Sequence, residues 1–118
     1  MGPFAHKISQ AYREIVLTLA RLGHNIIIDD VAFGRKEFDR WKELLAGYKV
    51  LFVGVHAPLH VIEDRERERG DRMIGSARAQ YRKVHEGIIY DLDIDTYRIT
   101  TDENVAKIAA KLRLKKGN

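Results

Sequence analysis

The sequence predicts an α/β protein, with a parallel three-stranded sheet flanked by helices in three layers, α/β/α. Three observations predict it. Ile26-Ile27-Ile28 and the run from Val50 to Val55 are short, rich in β-branched residues and free of polar alternation, as are strands buried on both faces of a parallel sheet. Segments of helical periodicity stand between the strands, so each step from strand to strand is a right-handed crossover. The 118 residues allow one domain with one core, so residues 1–118 read as a single α/β domain.

The first helix runs from about His6 to Leu22, where Ile8, Ala11 or Tyr12, Ile15, Leu19 and Leu22 recur at steps of three and four. Gly23 is placed to end it in the left-handed conformation. Asn25 to Asp30 is the first strand. A second helix follows Gly34, with Phe38, Trp41, Leu44 and Leu45 on one face and Gly47 at its stop. Tyr48 to Val55 is the second strand. Pro58 suits the first turn of a third helix, which carries Leu59, Ile62 and the charged run Glu63 to Arg69 before Gly70 breaks it. A short helix is expected from about Ser76 to Val84. Leu92-Asp93-Ile94-Asp95 alternates, so it reads as a strand nearer the edge. Thr101 is expected to cap a last helix facing inward through Val105, Ile108, Ala109 and Leu112.

Hydrophobic residues are 45% of the chain and charged residues 32%, a globular balance. The absence of cysteine excludes disulfides, thiolate nucleophiles and Cys-ligated zinc. No apolar run is longer than four residues, which excludes a transmembrane helix. No signal peptide is visible after Met1, so the cytoplasm is the expected compartment. The net charge is +4 with a pI near 9.4. Lys107, Lys111, Arg113, Lys115 and Lys116 stand without an acid between Val105 and Asn118, so the excess sits in a tail. Basic residues without interleaved aromatics argue against a nucleic-acid partner.

Asp29 and Asp30 lie at the carboxyl end of a predicted strand, where open α/β sheets bind ligands. Carboxylates there can hold the water shell of a magnesium ion or accept a hydrogen bond from a hydroxyl. They can equally cap a turn and pair with a cation. Arg65 and Arg69 are one helical turn apart, and Arg72 follows Gly70. Three such guanidiniums suit a polyphosphate, because each offers a rigid donor fork. A solvated helix face of alternating charge is the other reading. Gly75 and Ser76 open the next helix and could present amide donors to an anion, or Ser76 could simply be its cap. Pro58 separates His56 from His60 and argues against a metal pair. There is no H-E-x-x-H, G-x-S-x-G or dinucleotide-binding glycine fingerprint, and the spacing from Gly70 to Gly75 is followed by Ser76 with no lysine.

Taken together, Ile26 to Val31, Leu51 to Val55, Arg65-Glu66 with Arg69-Gly70-Asp71-Arg72, Gly75, Gln80, and Val84-His85-Glu86-Gly87 leading to Tyr90 through Thr96 resemble the chloramphenicol phosphotransferase-like family of small P-loop kinases. The resemblance runs from about Gly2 to Ala110. It implies a P-loop kinase fold, ATP and Mg2+ as cofactors, and transfer of the γ-phosphoryl group to a hydroxyl of a small molecule. The segment of about residues 63–80 would be the lid over ATP. Arg65, Arg69 and Arg72 would contact phosphates and stabilise the transition state, Arg78 and Gln80 would support lid and nucleotide, and Asp29 and Asp30 would lie on the acceptor or magnesium side. No other metal site is implied.

The family's chain opens with a strand, a P-loop with its lysine and Ser/Thr, and an aspartate general base, none of which stands in these 118 residues. The chain therefore reads as the C-terminal portion of such a domain, expected to be inactive alone. The alternative is a non-catalytic fragment or adaptor that acts by association with another chain. The absent strand would lie between 26–30 and 50–55, so a homo-oligomer joined through those exposed sheet edges is expected.

Overall fold

Pro3 occupies the first turn of α1 (Pro3–Arg21), where its missing N–H removes no hydrogen bond. The computed structural model describes residues 2–30, 34–70, 81 and 84–114. At the far end of α1 the Gly23 amide donates to Ala20 and the His24 amide to Leu19. This six-to-one closure requires the left-handed φ of 85° that Gly23 supplies. The helix ends where the sequence predicts and begins three residues earlier.

Among the described residues five further elements follow: α2 (Arg35–Leu44), β1 (Val53–His56), α3 (Leu59–Arg69), β2 (Leu92–Asp95) and α4 (Thr101–Leu114). Pro58 sits just before the first turn of α3, and Gly70, at φ 68°, ends that helix. Thr100, one residue before the expected cap, closes a reciprocal box at the start of α4. Its hydroxyl accepts the Glu103 amide at 3.1 Å and donates to the Glu103 carboxylate at 2.9 Å. The expected helix from Ser76 to Val84 lies almost wholly outside the described residues.

β1 and β2 are parallel, with Val53 opposite Leu92 and His56 opposite Asp95. Parallel pairing through a long crossover is thus as predicted, but the expected three-stranded sheet is, among the described residues, two-stranded. The expected strand from Ile26 to Asp30 is the correction. Ile26 and Ile28 pack against the core while Ile27 is 96% exposed. A run of three isoleucines predicts burial on both faces, yet a strand exists only through its neighbour's backbone groups. Among the described residues, 24–30 join no ladder and run past the core. The second strand is also shorter than the apolar run that predicts it, for Tyr48 to Phe52 precede the ladder.

The core lies between the two N-terminal helices and the chain leading into β1. Val16, Trp41 and Leu45 are buried, with Ile26, Ile28, Leu44, Tyr48, Val50 and Phe52 packed around them. Tyr12 meets Trp41 edge-on at 5.8 Å between ring centroids, and Phe38 meets Phe52 at 4.9 Å. Ala57, Val61 of α3 and Ile94 of β2 are buried as well.

Trp41→Ala should cost about 3–5 kcal/mol, the range for a buried aromatic. Ile27→Ala should cost within about 0.5 kcal/mol, as for a surface position. Urea unfolding of both variants checks this pair; a loss of 2 kcal/mol or more at Ile27, about what a buried isoleucine costs, would restore the doubly buried strand.

Candidate functional site

Gly54 and His56 fall on the same face of β1, because strand side chains alternate. Gly54 lies opposite Asp93 in the register. A Cβ at Gly54 would lie 2.6 Å from Tyr90 Cε2 and 2.8 Å from Asp93 Oδ1. Glycine is therefore what lets the Tyr90 ring and the Asp93 carboxylate close over the strand.

On this face four polar side chains meet. Asp93 Oδ1 accepts a hydrogen bond of 2.7 Å from His56 Nε2. The His56 and His85 rings stand 4.3 Å apart between centroids, tilted by 41°. His85 Nδ1 lies 2.6 Å from the Tyr90 hydroxyl. Burial first, and the nearby His56 second, hold His85 below the ordinary imidazole value, against smaller opposing effects of the Val55 carbonyl and Asp93. The neutral ring accepts the Tyr90 O–H at Nδ1. Burial, then the Asp93 charge, raise the Tyr90 phenol, which stays a donor.

The next contacts lie at the carboxyl ends of the strands. The Thr96 amide donates to the His56 carbonyl at 2.9 Å. Arg65 places Nη1 on Thr96 Oγ1 and Nη2 on the Thr96 carbonyl, both at 3.0 Å. Asp95 accepts the amides of Tyr97 and Arg98 at 2.7 and 3.0 Å. The two amides, Arg98 first, hold its carboxyl below the usual value. Asn104 donates to the Asp95 carbonyl at 2.8 Å and ties α4 to the same end.

The residues singled out in the sequence fall in three groups. Arg65 and Arg69 share a face of α3 as their spacing requires, and the Arg65 fork is bound to Thr96. Asp29 and Asp30 are exposed at the end of the 24–30 segment. Together with burial they raise the Tyr12 phenol, burial being the larger effect and Asp30 the next. Arg72, Arg78 and Gln80 lie outside the described residues. Among the described residues no group of three or more His, Asp or Glu side chains is placed to hold a metal ion, and no helix is long and apolar enough to cross a membrane.

Sequence reasoning missed the histidine face. It weighed His56 against His60, whereas His60 meets the Tyr97 ring at 5.8 Å and the partner of His56 comes from 29 residues further along. His85-Glu86-Gly87 served only as a family marker. The available signal was Gly54 within an apolar strand, which marks a close approach. Glu66, within the charged run of α3, is also buried, so that helix is not solvated on every side.

The sign of the pH dependence follows from His85. A folded value below the unfolded one means the neutral form stabilises the fold above about pH 6.5, and that stability is lost as pH falls through it. His85→Gln should therefore flatten the fall in stability between about pH 7 and 5. Urea midpoints measured across that range test it; an unchanged acid loss in the variant would assign it to another group.

The chain matches the family model described as "Chloramphenicol phosphotransferase-like protein" over residues 1–113. Two curated relatives, "Putative O-phosphotransferase MT2714" and "Putative O-phosphotransferase Rv2636", come from two strains of Mycobacterium tuberculosis. Each is 38% identical to it over 74 residues. The match takes in 63% of this chain and 33% of each relative, so the chain spans well under two thirds of their length. With 113 of its 118 residues covered by the family model, the chain belongs to the chloramphenicol phosphotransferase-like family.

Proposed function

We infer that the chain carries the lid and acceptor side of an ATP-dependent phosphotransferase that moves the γ-phosphoryl group to a hydroxyl of a small molecule. The observation that carries this reading is the launch of α3 from the carboxyl end of β1. A helix bearing Arg65 and Arg69 leaves the ligand-binding end of a parallel sheet and ends at the left-handed Gly70. The family supports phosphotransfer. ATP, its magnesium ion and the hydroxyl acceptor are part of the proposal.

The donor set fits these ligands. Guanidiniums suit the phosphates, with Arg69 and Arg72 in contact, Arg78 and Gln80 beside the nucleotide, and Arg65 at the lid's base. Asp29 and Asp30 suit a magnesium ion taken through its water shell, or the acceptor hydroxyl. When bound, the ion would neutralise charge developing on the transferred phosphoryl. The sequence holds no Gly-x-x-x-x-Gly-Lys-Ser/Thr, so by this reading the 118 residues alone bind ATP poorly and do not turn over. The compartment implied is the cytoplasm. A second reading, a non-catalytic fragment or adaptor that associates with another chain, is favoured by the apolar surface that α1 leaves exposed.

In a chain extended by a P-loop segment, Arg69→Ala and Arg72→Ala should each lower kcat by on the order of 10²-fold or more, with a smaller effect on the KM for ATP. Transfer of labelled phosphate from ATP is the measurement. Variants that turn over like the parent would leave the arginine segment as a solvated face, and transfer by the 118 residues alone would refute the need for the P-loop.

A further inference from the structure

We propose that the exposed apolar stripe of α1 is an interface with a second copy of this chain, packed antiparallel about a two-fold axis between Arg13 and Glu14. Phe4, Ile8, Tyr12, Ile15, Leu19 and Leu22 recur at steps of four, four, three, four and three along α1. Phe4 is 77% exposed, Ile8 55%, Ile15 61% and Leu22 70%, while Tyr12 and Leu19 are each more than a third exposed. Val16, on a neighbouring face of the same helix, is in the core. One helix thus has two apolar faces, of which the described residues cover one. Tyr12 stands at their border, its ring against Trp41, so the free stripe is attached to the core.

The six side chains leave on the order of 700 Å² open, close to the ≈800 Å² that each partner contributes to a standard interface, and more than the largest patch of most monomers. The shape of the stripe selects the occupant. It follows 19 residues of helix, about 28 Å at 1.5 Å per residue. A sheet could also lay the side chains of one face on such a row, so length and period are what select a helix. A partner helix with the same period can interdigitate along the whole row.

α1 itself meets that requirement. With the axis between Arg13 and Glu14, Tyr12 faces Ile15 of the second copy, Ile8 faces Leu19, and Phe4 comes against Leu22. The pairing is isologous and closes at two copies. Ala11 and Thr18 border the row, and their small side chains allow close approach. This inference is independent of the phosphoryl-transfer reading, because it concerns α1 alone.

Sedimentation velocity and light scattering on the 118-residue chain test it between about 1 and 100 μM, the range where an interface of standard size and ordinary quality is populated. The expected result is a reversible monomer–dimer equilibrium. Ile15→Lys and Ile8→Lys each should weaken it at least about tenfold with an unchanged far-UV circular dichroism spectrum, both positions being exposed. Val105→Lys on α4 should leave it unaltered. The chain contains no cysteine, so oxidation of mixed Ile8→Cys and Leu19→Cys copies should give a disulfide-linked heterodimer, and Ile8→Cys alone should give none. A monomer throughout the range, a dimer indifferent to both lysine variants, or ready cross-linking of Ile8→Cys alone would overturn the proposal. So would a monomer whose stripe is covered only by a segment of different sequence.

Discussion

The parallel pairing of β1 with β2 is the constraint on which everything else hangs. Each strand has four residues, and the connection between them runs from Ala57 to Asp91. Closing so long a loop costs chain entropy before any ladder bond repays it, and a pair of short strands is marginal by itself. Clasps at both ends make up the difference. At the entry, the Phe52 amide donates to the Asp91 carboxylate at 2.8 Å, and the amides of Asp91 and Leu92 turn to the Phe52 carbonyl. At the exit, Thr96 bonds the His56 carbonyl, and Arg65 bonds Thr96. The four-residue ladder is thus the middle of a longer bonded seam, and α3 and α4 are both fixed to its carboxyl end.

Aromatic rings connect that seam to the core. Phe38 of α2 touches Phe52 just before β1 and Tyr90 just before β2, the latter at 5.7 Å. Tyr90 in turn covers Gly54 and bonds His85. A change in how the core packs against Phe38 therefore reaches the histidine face through one ring. The same arrangement explains why Gly54 is needed: a side chain there would displace Tyr90 and disturb its contacts with both Phe38 and His85 in a single step.

The local code was the legible part. Gly23, Gly34 and Gly70, three of the glycines read as helix boundaries, adopt positive φ. The helix periodicity located Trp41 and Leu45, and the strand–helix alternation gave the parallel sense of the sheet. On α1 the periodicity picked out Ile8, Tyr12, Ile15, Leu19 and Leu22, each more than a third exposed, and passed over the buried Val16. What could not be read depends on neighbours. Ile26 to Ile28 has the composition of a central strand, but composition says nothing about whether another strand lies beside it. The face that α1 leaves open was hidden for the same reason, since periodicity marks apolar residues and not which of them find partners. At the site, the pairing of Arg65 with Arg69 on one face followed from helical spacing. The meeting of His56, His85, Tyr90 and Asp93 required the register of β1 on β2, which no local pattern contains.

Arg65 shows how register refines a role. Its spacing from Arg69 made the two look equivalent, as twin donors to a polyphosphate. The fold separates them. Both guanidinium amines of Arg65 are committed to Thr96, one to the hydroxyl and one to the carbonyl, at the point where Thr96 also bonds His56. To reach a phosphate, Arg65 would have to abandon two bonds that fasten α3 to the sheet. Arg69 stands a full turn further out, beside Gly70, where the chain changes direction. Under the proposed reading of α3 as the stem of a lid, Arg65 would hold its base to the sheet, while Arg69 stands one turn further along. A planar fork is needed for that hold, since an ammonium cannot span a hydroxyl and a carbonyl in one fixed geometry. The charge run that looked uniform in sequence is thereby divided by the fold at Arg65, whose guanidinium is anchored to the sheet end through Thr96.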